Sequence, residues 1–85
     1  SSQSESPFRF LYWNGSPIIN GERGEHVKEL QRRLLALGYH LPKYGADGVM
    51  GSETANAVRQ FQRDAGIRVD GVPGPQTKTA MERGR

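Results

Sequence analysis

The residues of this sequence that could do chemistry are few, and their spacing argues for recognition rather than catalysis. His26 and His40 are the two histidines, and neither belongs to a His-Glu-x-x-His string or a comparable ligand set. The serines stand in no nucleophile-elbow motif. Asp47 and Asp70 sit inside glycine-rich strings that read as turns, which places no base beside a nucleophile. There is no cysteine, so disulfides and thiolate zinc sites are excluded, and neither a metal nor a cofactor is expected. What remains is binding chemistry. Tyr39 and Tyr44 can act as an aromatic platform. Arg59 and Arg63, four residues apart, project along a common face of a helix and can fork onto a carboxylate, with Gln62 beside them.

The elements that must position these groups have to be economical. The chain has 85 residues, of which 34% are hydrophobic, enough for one small domain. No apolar run is long enough for a membrane span, and the polar N-terminus is not a signal peptide. Twelve Lys and Arg against nine Asp and Glu give a net charge of +3, a mild preference for anionic partners shared by many soluble domains. Residues 1–7 are Ser-rich and read as a linker or an expression remnant. Residues 8–20 form an extended aromatic lead-in. Phe8, Phe10, Tyr12 and Trp13 fall within it, Asn14-Gly15 signals a turn, Pro17 confines any returning strand to an edge, and Ile18 and Ile19 are expected to dock on the body of the domain.

From residue 21 to 85 the pattern is helical. Val27, Leu30, Leu34 and Leu37 make one apolar stripe over 25–37, with Glu29 and Arg33 as an ion pair on the wet side and Gly38 as the stop. Thr54, Val58, Phe61 and Ala65 make a second stripe over 52–65, with Ser52 as N-cap and Gly66 after the end. A third helix is expected to begin at Pro75 and turn Thr77, Ala80 and Met81 inward. The segment 39–50 reads as a surface loop.

The sequence repeats itself within its own length. Asp47-Gly48-Val49-Met50-Gly51-Ser52-Glu53-Thr54 returns as Asp70-Gly71-Val72-Pro73-Gly74-Pro75-Gln76-Thr77. Val27-Lys28-Glu29-Leu30-Gln31 returns as Val58-Arg59-Gln60-Phe61-Gln62, and Gly21 to Gly24 adds a third Gly-x-x-Gly ahead of a helix. Each repeat reads as a turn leading into a helix. Asp47 and Asp70 can accept hydrogen bonds from their own turns, and Gly48, Gly51, Gly71 and Gly74 supply the freedom those turns need. Val49 and Val72 are expected to plug the turns into the core. Thr54 and Thr77 are expected to tie a hydroxyl to nearby backbone, and Gln31 and Gln62 can bond to the turns. The fold class is therefore all-α, a small three-helix bundle of pseudo-repeated turn-helix units.

Three strings in order, Gly24-x-x-Val27-x-x-Leu30-Gln31-x-x-Leu34-x-x-x-Gly38, Asp47-Gly48-x-x-Gly51-x-x-Thr54-x-x-Ala57-Val58-x-x-Phe61-Gln62 and Asp70-Gly71-x-x-Gly74-x-x-Thr77, resemble the peptidoglycan-binding domains of the three-helix type found beside cell-wall hydrolases. The resemblance covers 21–85, and Met50 departs from it by standing where an aromatic residue is common. It implies a non-catalytic module that tethers an amidase, muramidase or phage endolysin to peptidoglycan, working outside the cell or in the wall. Peptidoglycan would be its partner, together with a covalently linked catalytic domain, and the module would be a monomer needing no nucleic acid and no membrane. The same fold in matrix metalloproteinase propeptides inhibits through a cysteine, which is missing here. Peptidoglycan offers hydroxylated sugars and peptide stems with carboxylates and ammonium groups, a match for Tyr39, Tyr44, Arg59, Gln62 and Arg63 as contact residues. A basic nucleic-acid-binding domain is the rival reading. Gly-x-x-Gly is also the clamp of KH domains, but their strands and a dense basic recognition helix are missing. A protein-docking role for the aromatic segment 8–13 is a third.

Overall fold

The computed structural model describes residues 8–83, so the assignment of 1–7 as a linker lies outside the described residues. Three helices follow one another: α1 (Glu25–Ala36), α2 (Ser52–Ala65) and α3 (Pro75–Arg83). No strand occurs among the described residues, only one isolated antiparallel bridge between Arg23 and Val49. Both longer helices form because their apolar residues recur at helical spacing and line one face. Val27, Leu30 and Leu34 from α1, Ala57, Val58 and Phe61 from α2 and Met81 from α3 meet in one core. Gly38 (φ +99°) and Gly66 (φ +74°) take the left-handed conformation that stops α1 and α2, as the sequence anticipates.

The lead-in belongs to this core. Phe10, Trp13 and Ile18 are buried, Trp13 to 2% exposure, and Phe8, Phe10 and Trp13 stack edge to face in series. No ladder holds this segment. Instead the Glu29 carboxylate, on α1, accepts the backbone N–H groups of Leu11, Tyr12 and Trp13 at 2.6–3.3 Å. On the other side Phe10 N–H donates to Glu82 of α3. The expected Glu29–Arg33 ion pair is therefore replaced. Glu29 serves the lead-in, while the Arg33 guanidinium lies 4.0 Å from the centroid of the Phe8 ring and donates to the Met81 carbonyl. Partial burial lowers the Arg33 pKa.

The repeats build two equivalent buried nodes. The Gln31 amide nitrogen donates to Asp47 Oδ1, the Val49 carbonyl and Thr54 Oγ1, and its oxygen accepts Gly48 N–H at 2.7 Å. The Gln62 nitrogen donates to Asp70 Oδ1, the Val72 carbonyl and Thr77 Oγ1, and its oxygen accepts the N–H groups of Asp70 and Gly71. Each aspartate also closes its own turn by accepting the N–H two residues on, from Val49 or Val72. So a glutamine on α1 and another on α2 each clamp the turn that launches the next helix. The threonine hydroxyls find a glutamine amide rather than the nearby backbone, because the clamp brings that amide to within 3.1 Å.

At several positions the structure departs from the sequence pattern. Val49 is 39% exposed and Val72 half-buried. With the N–H and C=O of each committed to the node, the plugging residue is the next one, Met50 or Pro73. Ser52 is not the cap. Gly51 holds that position, because its carbonyl accepts the first helical bond from Ala55, and Ser52 lies inside the first turn. Ile18 is buried and its N–H donates to the Pro73 carbonyl, but Ile19 is turned 65% out. Ala65 is exposed, since the last turn of α2 runs past the core to the rim of a groove.

Candidate functional site

That groove is a depression of about 1200 Å³ that is open to solvent. It forms where three elements fail to close on one another. Leu37 and Tyr39 enter it from the end of α1, Phe61, Asp64 and Ala65 from the last turns of α2, and Ile67 from the connection that follows. The opposite wall is one stripe of α3, in which Pro75, Gln76, Thr79, Ala80 and Arg83 recur at intervals that share a helical face. The second node positions this wall. Gln62 fixes the turn 70–74, and Lys78 N–H bonds to the Gly74 carbonyl at 2.8 Å to start α3.

The floor is apolar and the rim polar. Phe61 is buried, with Leu37, Tyr39, Ile67 and Ala80 packed partly against the core. Tyr39 meets Phe61 edge to face at 6.0 Å and donates its hydroxyl to Asp64 Oδ2 at 2.6 Å. This bond orients both side chains at one lip of the groove. Arg83 is exposed on the other wall, and Asp64 and Arg83 form no ion pair with each other.

The structure distributes the sequence-derived candidates unevenly. Tyr39 lines the groove. Gln62 does not: it is 2% exposed, and its amide is fully engaged by the turn, so it supports the wall from behind. Arg59 lies over Gly71, close enough that a Cβ there would meet its Nε at 2.9 Å, and it donates to Asn56. Arg63 is exposed on α2 outside the groove lining. Tyr44 is 62% exposed on the 39–50 loop with Lys43 Nζ 5.6 Å from its ring centroid, and it too is outside the lining. Glu53 holds that loop by accepting the N–H groups of Lys43 and Tyr44. Asp64, Gln76, Thr79 and Arg83 also line the groove, and no motif in the sequence marks them. The i, i+3, i+7 spacing of Gln76, Thr79 and Arg83 is their one sequence signal.

Of the turn residues, Asp47, Gly48, Thr54, Asp70, Gly71 and Thr77 lie in the two nodes, and Gly51 and Gly74 supply the carbonyls that begin α2 and α3. The bonds from Val72 N–H and Gln62 hold the Asp70 carboxyl below the usual carboxylate range. Lys78 does the same for Glu82 with a 2.8 Å bond. Among the described residues no three His, Cys, Asp or Glu side chains gather as metal ligands, and no helix is long and apolar enough to cross a membrane.

Comparison with known proteins gives a consistent answer. The family model described as "Putative peptidoglycan binding domain" matches residues 23–81. The N-acetylmuramoyl-L-alanine amidase CwlL of Bacillus licheniformis is 51% identical over 67 residues, which cover 79% of this chain and 19% of that protein. The spore cortex-lytic enzyme of Halalkalibacterium halodurans is 42% identical over 66 residues, 78% of this chain and 19% of that enzyme. The chain thus spans about a fifth of the length of these relatives. Among solved structures, the SleB N-terminal domain superposes with a TM-score of 0.73 at 40% identity, covering 81% of this chain and 92% of that one.

Proposed function

Because the chain belongs to the peptidoglycan-binding domain family, we propose that it is a non-catalytic module that holds a wall-acting enzyme on peptidoglycan, with the α2–α3 groove as its principal contact surface. The observation that carries this reading is the family match across 23–81, which takes in α1, α2 and most of α3 and so every element that lines the groove. Relatives that cleave the wall carry the matching segment as a minor part of their length, which supports a division of labour. Binding sits in this domain, and bond cleavage in a covalently linked catalytic domain. The working place is then the wall or the space outside the cell, with the module acting as a monomer and needing neither membrane nor nucleic acid.

The physical basis of the task is local concentration. A polymer that repeats its ligand lets a weak site rebind before the attached enzyme diffuses away. Arg59, Arg63 and Tyr44, outside the groove, serve as peripheral contacts, the arginines through screened attraction to an anionic wall. The test is co-sedimentation of the 85-residue chain with purified insoluble peptidoglycan at low and high salt, beside single- and double-stranded nucleic acid. Retention by peptidoglycan at both salt concentrations supports the reading. A chain that stays in the supernatant at both, or that prefers nucleic acid, refutes it.

A further inference from the structure

We infer that the groove reads the peptide stem of the wall polymer rather than its sugar strand, with a stem ammonium group at Asp64 and a stem carboxylate at Arg83; this rests on the reading of the chain as a peptidoglycan binder. Asp64 and Arg83 line one groove from two different helices and carry opposite charges. They do not pair with each other, and Arg83 has no ion pair among the described residues. Tyr39 takes one oxygen of Asp64 and leaves Oδ1 without a partner among the described residues. The groove therefore offers an acceptor on one wall and a forked donor on the other, with an apolar floor of Leu37, Phe61 and Ile67 between them.

A sugar strand of acetamides and hydroxyls would cover that acidic and that basic group without neutralising either, and covering an unpaired charge is unfavourable. A stem peptide supplies both missing charges, and its short side chains suit the apolar floor. The end of α2 beside Asp64 adds backbone carbonyls whose polarity also favours a cation. Size agrees. About 1200 Å³ exceeds the roughly 300–1,000 Å³ usual for compact small-molecule pockets and suits an extended segment. The two most exposed tyrosine rings, Tyr12 and Tyr44, which could stack on sugar, both lie outside the groove.

The experiment is an NMR titration of the 85-residue chain with three soluble probes. These are a synthetic tetrapeptide stem with a free side-chain ammonium group, the same peptide acetylated on that amine, and an N-acetylglucosamine oligomer. The free stem should shift the amides of Asp64, Ala65, Thr79 and Arg83, and acetylation should weaken it by roughly threefold to tenfold, as should Asp64→Asn or Arg83→Gln. Asp64→Asn keeps an oxygen for Tyr39, so its amide spectrum should otherwise match the parent. Equal binding of the two peptides, or groove shifts produced by the sugar oligomer alone, overturns the inference. Peptidoglycan retention with no response to either peptide overturns it while leaving wall binding intact, whereas loss of retention itself overturns the reading beneath it.

Discussion

Replacing Gln62 by leucine removes the clamp on the turn that launches α3 while keeping the side-chain volume close to the original. The amide donates to three acceptors and accepts from two N–H groups, all within 3.2 Å. Asp70 is exposed, so water can replace the bonds made there. Gly71 N–H and Thr77 Oγ1 are buried and would lose their partner, at about 1–3 kcal/mol for each group left unsatisfied. The expected loss is therefore about 2–6 kcal/mol, against a total stability of about 4–13 kcal/mol for a chain of this length. The single tryptophan gives the assay its signal. Trp13 is 2% exposed in the folded state, so its fluorescence reports urea unfolding directly. Gln62→Leu should lower the midpoint with little change in slope, and combining it with Thr77→Val should cost less than the sum of the two. A loss below about 0.5 kcal/mol, the level of an ordinary surface substitution, would refute the clamp.

Further outcomes follow from the same contacts. Phe10→Ala removes a lead-in ring packed between Phe8 and Trp13 and should cost about 3–5 kcal/mol in urea unfolding. Acid should destabilise the domain. Asp70 and Glu82 titrate below their ordinary values in the folded state, so their stabilisation is complete above the unfolded carboxylate range near pH 4 and is lost as pH falls through the lower folded values. Asp70→Asn keeps the turn acceptor and should flatten part of that acid slope in melts between pH 2 and 6. Arg63→Ala, outside the groove, should reduce peptidoglycan retention at low salt and leave it unchanged at high salt, because screening already removes its contribution there.

The helices were legible in the sequence because burial imposes a period. Val27, Leu30 and Leu34 recur at the spacing that puts them on one face, and the glycines that stop α1 and α2 announce themselves. The two nodes were legible because the chain writes them twice, so that Asp, Gly, Thr and Gln in one copy vouch for the other. The placement of Val49 failed because alternation cannot show which residue of a turn spends its backbone on a side-chain clamp. The acceptor roles of Glu29 and Glu53 are not legible in the sequence for a related reason. Each satisfies the N–H groups of a strandless segment 9–18 residues away, and no local pattern marks such an acceptor. The groove was hidden most deeply. It is the space left among the ends of three elements, and Asp64 and Arg83 acquire meaning only when α2 and α3 stand side by side.

The groove's role is tested most directly by filling it. Ala65 and Thr79 are exposed on opposite walls, so Ala65→Trp or Thr79→Trp adds bulk to the groove without entering the core, and Gln60→Trp is a control on α2 outside the lining. Retention on insoluble peptidoglycan at high salt should fall sharply for the two groove variants and match the parent for Gln60→Trp. Equal retention of all four folded proteins would place the wall-binding surface elsewhere.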